Sequence, residues 1–505
     1  MGKWTRRAFI AAGVAASGVV VFGVAIRRGE RGDKVRRLVA ADDETLFDIW
    51  LKISPDNTIT AIVPHAEMGQ GIHTTLAMML ADELDADWTR LEIVEAPGHP
   101  EYANYALARG YVASDIDFPA WLVDSVDGLF LQATKSIGLQ ITGGSTSVRT
   151  TGQIAMRVTG AATREALIGA AADEWQVSAD ELTTKDSHVL HAASDRSATF
   201  ASLAPAAAKR ALPDQPTLKR TEDFRLMGES VPRNDIPAKV DGTATFGIDA
   251  SLPGMKYAAV RAAPVFGGQV SRVATASVQD MPGVRKVVSL DDAVAVIADG
   301  YWQAKQALDA LDVEFTDGGN GNVEQGTIFA QFTADLDRSA AAGDEEIDVR
   351  SGDAPAALAS AEQVIEAEYR VPFLAHSPME PMNCTAWVHD GRCELWTGTQ
   401  NPLGFAKEVA DVLDMNIEDV ILHNQYLGGG FGRRAFADYT IQAARIARDV
   451  PYPVKLVWSR EEDTRHDHYR QASVSRFRGG LDSNGNPVAW HNHYVNKHDP
   501  EEAPH

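Results

Sequence analysis

Cysteine is almost missing from this chain. Cys384 and Cys393 are the only two in 505 residues. An iron–sulfur cluster takes four protein ligands, so the chain cannot hold one by itself. A disulfide across so short an interval is possible, but two buried or reduced thiols fit the strand-like sequence around them better. Basic residues are also in deficit: Lys plus Arg number 47 against 70 Asp plus Glu, a net charge of −23. That balance argues against nucleic acid and against broad adhesion to anionic membrane. Zinc-type histidine spacing is lacking too. His376, His466 and His468 are candidate ligands on paper, yet with no H-E-x-x-H or comparable pattern they read as surface or supporting histidines.

What is present is a chain with 45% hydrophobic and 23% charged residues, an ordinary globular balance, long enough for roughly two to four domains. The first residues stand apart. Thr5-Arg6-Arg7-Ala8-Phe9-Ile10 precedes an apolar run to Ile26, closed by Arg27 and Arg28. An arginine pair ahead of a moderately hydrophobic stretch reads as a twin-arginine export signal, or as a membrane anchor, since the run is about the length that spans a bilayer. Residues 1–29 are therefore expected to be a signal or anchor, with a charged linker over 30–44.

Beyond it, helix-period and strand-period segments alternate, which places the chain in the α+β class. Phe47–Ile53 and Thr58–Val63 predict a hairpin around Pro55-Asp56-Asn57. Glu67-Met68-Gly69-Gln70-Gly71-Ile72 then opens a helix, with Leu76, Met79, Leu80 and Leu84 at helical spacing. After a polar region, Gly143-Gly144-Ser145-Thr146-Ser147 enters an Ala-rich helix from Ile154 to Trp175. Either loop could be a plain helix entrance or could present donors to a ligand. Residues 201–230 read as a connection, 231–315 as a compact α+β module with a helix at Tyr301–Leu311, and 316–350 as a surface linker.

The last third carries His376-Ser377-Pro378-Met379-Glu380-Pro381-Met382-Asn383 and Thr397-Gly398-Thr399-Gln400-Asn401-Pro402. A helix is predicted from Phe405 to Leu413. Next comes Gly428-Gly429-Gly430-Phe431-Gly432-Arg433-Arg434, between a strand over 419–426 and a helix from Ala435 to Asp449. Four glycines in five positions let backbone press against a ligand, and a helix start with two arginines favours an anion. Gly430-x-Gly432-x-x-Ala435 also fits a dinucleotide fingerprint, so a nicotinamide or flavin site stays open as an alternative. Against it, the acid wanted about 20 residues on is missing, Glu461 lying too far past Gly432.

Taken in order, E-M-G-Q-G-I, G-G-S-T-S, M-E-P-M-N-C-T-A, T-Q-N-P and L-G-G-G-F-G-R-R resemble the large, molybdenum-binding subunit of the xanthine oxidase family, in its isoquinoline 1-oxidoreductase beta-subunit form. The likeness runs from about residue 45 to 495. It implies an a/b hammerhead domain over 231–315, entered by Arg233-x-Asp235-x-x-x-Lys239-Val240-x-Gly242, between molybdopterin-binding segments at 45–215 and 351–505. It implies molybdenum with molybdopterin, in bacterial relatives the cytosine dinucleotide form, with no direct protein ligand to the metal. By the same resemblance Gly69, Gln70, Gly71, Ser145, Thr146, Ser147, Gly429, Gly430, Phe431, Gly432 and Arg433 would contact the cofactor, and Gln400 would lie near the molybdenum oxo group.

The implied reaction is hydroxylation of an N-heterocycle or an aldehyde with water as the oxygen source. Electrons would leave through a partner carrying two [2Fe–2S] centres, with a cytochrome as candidate acceptor. The twin-arginine reading adds a periplasmic or periplasm-facing, membrane-associated location. Two departures from the family pattern matter. Ala435 stands where purine-oxidising members have a glutamate, which argues against xanthine. The family's general-base glutamate, in a C-terminal Gly-Glu motif, has no counterpart; Gly228-Glu229 belongs to another context. The catalytic residue is thus unassigned, and the expectation is a fragment or split gene product, or a non-catalytic cofactor-binding or assembly partner.

Overall fold

The structure is a computed structural model that describes residues 28–496, apart from 114, 115, 117, 144, 214 and 344–346. The twin-arginine stretch lies outside the described residues. The fold is α+β, and its described residues separate into two compact units, one within 28–256 with 378–456 and one within 257–377 with 457–496.

The first unit is built on a four-stranded sheet. Thr45–Phe47, Leu51–Ile53 and Ile59–Val63 run antiparallel in succession, and Leu91–Glu95 joins parallel to Ile59–Val63. The parallel step needs a crossover, and the Ile72–Leu84 helix supplies it. Its apolar positions Ile72, Leu76, Leu80 and Leu84 are buried with Ile59, Ile62 and Val63 in one core. Against this helix packs a continuous helical stretch, π-helical over Val148–Met156 and α-helical over Arg157–Trp175. Gly160 makes that approach possible, since a Cβ there would stand 2.4 Å from the carbonyl oxygen of Leu80. Later in the chain Asn383–His389 and Arg392–Thr397 form an antiparallel pair, to which Val420–Asn424 adds in parallel across the Pro402–Leu413 helix. Cys384 and Cys393 are buried free thiols in this pair. Burial holds the thiol of Cys393 up at about 12.

In the second unit, Val284–Ser289, Ala293–Ala298 and the strand ending at Ala262 run antiparallel beneath the Tyr301–Ala310 helix. Gln363–Val371, Ser473–Leu481 and Pro487–Asn496 form a separate antiparallel sheet. Here His376 Nδ1 is 3.0 Å from the carboxylate of Asp467, and His466 Nε2 is 3.3 Å from that of Glu462.

Several expectations change. The charged 30–44 segment is no linker: Arg28–Val39 is a helix, docked by the fully buried Val35. Arg31 lies between the rings of Trp50 and Tyr105 with its guanidinium on Glu101. The polar region before Gly143 holds two helices, Tyr105–Val112 and Ala120–Ser136. The 316–350 linker contains the helix Gln325–Ala342. Residues 231–256, read as the start of the middle module, belong to the first compact unit, and 351–505 divides between both. Among the described residues no helix is long and apolar enough to cross a membrane.

Candidate cofactor site

The Gly69–Gly71 loop owes its shape to a residue that sequence reasoning passed over. Glu67 is fully buried. Its carboxylate accepts hydrogen bonds from the N–H groups of Gly69 at 2.8 Å, Gly71 at 3.1 Å and His73 at 3.3 Å. Wrapping backbone around one carboxylate requires left-handed conformations, met by φ of 105° at Gly69 and 81° at Gly71. The Gln70 side chain closes on its own loop: Nε2 donates to the Ala66 carbonyl, and Oε1 accepts from the Met68 N–H.

Two histidines flank this loop. Burial pushes His65 down to about 3, so it is neutral where it meets the Thr151 hydroxyl at 2.9 Å. Burial opposes charge on His73 as well, but the carboxylates of Glu95 and Glu67 outweigh it and raise this imidazole.

Gln400 joins the predicted loops. It is nearly buried. Its Oε1 accepts from the N–H of Gly432 at 3.0 Å, and its Nε2 donates to the Thr142 carbonyl at 3.1 Å. Its backbone exchanges further bonds with Thr142 and Arg434. The loop after Thr142 and the Gly428–Gly432 loop are thereby held on one amide, while the Thr142 hydroxyl accepts from the Ala66 N–H at 2.8 Å. Met68 completes the meeting, since a Cβ on Gly430 would lie 2.5 Å from its sulfur and 2.6 Å from Gln400 Oε1. All four predicted regions thus converge, by backbone more than by side chain. Ser145 is exposed and Thr146 half-buried, whereas the hydroxyl of Ser147 turns inward to Gly143 at 3.2 Å.

The arginines do not face a ligand. Arg433 and Arg434 are fully buried. Arg433 pairs with Asp438 through two bonds of 2.9 and 2.8 Å. Arg434 donates to the carbonyls of Gly429, Gly398 and Glu380 and to the Glu380 carboxylate at 3.0 Å. Glu380 also accepts from the N–H of Gly428 at 2.8 Å and of Ile248 at 2.9 Å. The expected arginine-assisted anion contact, Arg433 included, is corrected: these cations fix the loop from behind. The dinucleotide alternative fails on geometry as well, because the α-helix begins at Asp438, past every glycine of the fingerprint.

The loop itself turns on left-handed backbone. Gly429 and Gly432 have φ of 98° and 105°, and Phe431, exposed at the tip, sits at 58°. A bulky side chain in that region is held there by its surroundings. Among the described residues, no hydrogen bond engages the N–H groups of Gly429, Gly430 or Phe431. The Nε2 of Gln400 keeps a second hydrogen, since an amide nitrogen has two. Such donors suit an oxygen- and nitrogen-rich, phosphorylated pterin. Among the described residues no group of three or more His, Cys, Asp or Glu could hold a metal, so a metal here would need ligands from its cofactor.

Comparison with known proteins agrees. The molybdopterin cofactor-binding domain family matches residues 338–502. The isoquinoline 1-oxidoreductase subunit beta of Brevundimonas diminuta is 30% identical, covering 94% of this chain and 62% of its own length. By these matches the chain is similar to the molybdenum-binding subunits of the xanthine oxidase family. Another similar protein is the membrane-bound aldehyde dehydrogenase [pyrroloquinoline-quinone] of Gluconacetobacter polyoxogenes, 31% identical over 95% of this chain and 58% of that protein. Quinoline 2-oxidoreductase from Pseudomonas putida 86 is a structural neighbour with TM-score 0.42 and 18% identity, covering 53% of this chain and 39% of that one. The chain spans about six tenths of the length of the curated family members it matches.

Proposed function

We propose that this chain is the molybdopterin-binding part of an oxidoreductase that hydroxylates an N-heterocycle or an aldehyde with water as oxygen source. Electrons pass to a partner with two [2Fe–2S] centres, since two buried cysteines cannot supply a cluster. The observation carrying the reading is that Gln400 joins the loop after Thr142 to the Gly428–Gly432 loop, while among the described residues no hydrogen bond engages the N–H groups of Gly429, Gly430 and Phe431. The names of the relatives support both substrate classes.

When bound, the cofactor supplies the redox-active metal and the oxygen-transfer chemistry. The chain's own part is to bind and orient. The backbone donors of Gly429 to Phe431 hold oxygens, and Gln400 Nε2 offers its remaining hydrogen from a fixed position. Arg434 and Glu380 keep the loop from yielding. Ala435 offers no group to pair with a purine edge.

Metal and pterin analysis of the purified chain tests this reading. Molybdenum and pterin in equal amount with the chain are expected, with cytidine monophosphate released on hydrolysis. A flavin or nicotinamide spectrum without molybdenum would overturn it. The arginine pair Arg6-Arg7 supports export by the twin-arginine route to the periplasm or its membrane face. Exchange of both for lysine should then leave the protein in the cytoplasmic fraction, and unchanged export would refute that part.

A further inference from the structure

The geometry assigns Arg233 as a positioning residue for the Gly69–Gly71 loop, acting through the buried carboxylate of Glu67; this rests on the reading of that loop as part of the cofactor wall. Three backbone N–H groups surround Glu67, but N–H groups alone leave its charge without a cation in a buried place. Arg233 supplies it: Nη2 lies 3.1 Å from Glu67 Oε1, and Nη1 donates to the Gly69 carbonyl at 2.7 Å. One guanidinium therefore holds both the carboxylate inside the loop and a carbonyl on its back. A planar fork can make both contacts at once, whereas an ammonium cannot hold that geometry.

Arg233 is itself held. Asp235 accepts from its Nε at 2.9 Å and its Nη2 at 2.5 Å, and also pairs with Lys239 Nζ at 2.6 Å. Partial burial works against the charge of Asp235, yet the two cations keep its carboxyl well below the usual range. Lys239 Nζ stands 4.9 Å over the ring of Tyr426, which leads into the Gly428–Gly432 loop and is bridged to Phe246. A contiguous series of contacts thus ties one glycine loop to the approach of the other through Arg233, Asp235 and Lys239. By the family resemblance these three residues open the 231–315 module. Their place in the fold makes them the outer clasp of the candidate site.

The core beneath the loop is apolar and does not include Arg233, so loss of the clasp should release the loop more than the fold. Without the guanidinium on Glu67 and on the Gly69 carbonyl, the left-handed glycines have other conformations open to them. The test uses the full chain, produced with its iron–sulfur partner, as wild type, Arg233→Gln, Arg233→Lys and, as a control in the other unit, Arg272→Gln, whose partners Asp312 and Glu314 are exposed. Molybdenum and pterin per folded chain, melting temperature and hydrogen exchange of a peptide covering 66–72 are measured.

The expected result is about a tenfold loss of cofactor in Arg233→Gln, typical of groups that support a ligand-holding residue. Exchange at 66–72 should be faster and the apo-protein melting temperature little changed. Arg233→Lys should fall between, and the control should match wild type. Wild-type cofactor content and exchange in Arg233→Gln would overturn the assignment. If that variant does not fold, full cofactor retention by Arg233→Lys overturns it instead. Should the wild type hold no molybdenum or pterin, the cofactor reading fails, and unchanged exchange in Arg233→Gln would separately refute the clasp.

Discussion

Arg434 shows how a single side chain can look like one thing in sequence and be another in the fold. Beside a glycine loop it suggests an anion contact, but it is buried and paired with Glu380. Removing one partner of a buried pair leaves an uncompensated charge, and that costs about 3–5 kcal/mol. Arg434→Met should lower the unfolding free energy of the cofactor-free chain by that amount in a urea titration; an unchanged midpoint would mean that the arginine serves a ligand instead.

The histidines carry a pH signature of opposite signs. His65, pushed down to about 3, stays neutral in the folded chain while its unfolded counterpart, near 6.5, takes up a proton. Its contribution is present above the unfolded value and is lost as pH falls, by at most about 1.4 kcal/mol per pH unit. His73, raised by Glu95 and Glu67, contributes stability that is full below its unfolded value and is lost as pH rises through its folded one. Unfolding of His65→Gln at pH 7 and pH 5 should show the gap to wild type narrowing on acidification. A gap that stays constant would refute the burial argument.

At the level of loops and helices, the glycines differ in what they permit. A Cβ at Gly430 would strike Gln400 and Met68, whereas at Gly143, in another candidate loop, it meets nothing within 4 Å. Overpacking of this kind costs about 1–3 kcal/mol. Gly430→Ala should be destabilised accordingly, while Gly143→Ala, measured in the same denaturant titration, should stay within about 0.5 kcal/mol of wild type. Equal effects would mean that the contact at Gly430 relaxes freely.

The same distinction explains what could be read in the sequence. The hairpin ending at Val63 and the helices at Ile72–Leu84 and Pro402–Leu413 follow from local periodicity and turn residues. Glycine-rich loops announce themselves by composition. Glu67, Glu380 and Arg233 do not, because their roles depend on partners 2 to 166 positions away. The Arg28–Val39 helix was hidden for a related reason: its mean hydropathy is low, and one buried valine with one arginine between two rings does the docking.

For the whole molecule, a ligand that binds only the folded state stabilises it by mass action, by about 2.7 kcal/mol when present at a hundred times its dissociation constant. Cofactor-loaded chain should therefore melt above the cofactor-free chain. Slowed hydrogen exchange should concentrate at 66–71, 142–147 and 398–434 and leave 257–377 unchanged. Uniform protection, or protection centred on 257–377, would place the ligand elsewhere.

The hydrogen bond from Gln400 to Thr142 joins residues separated by 258 positions. At a synthesis rate of about 5–20 residues per second, roughly 10–50 s pass between the emergence of its two ends. For that interval the early glycine loops exist without the wall that makes them a receptacle. On the proposed site, cofactor loading would be ordered in time: it would follow synthesis of residues past Arg434, and a pterin supplied earlier would meet only half a clamp.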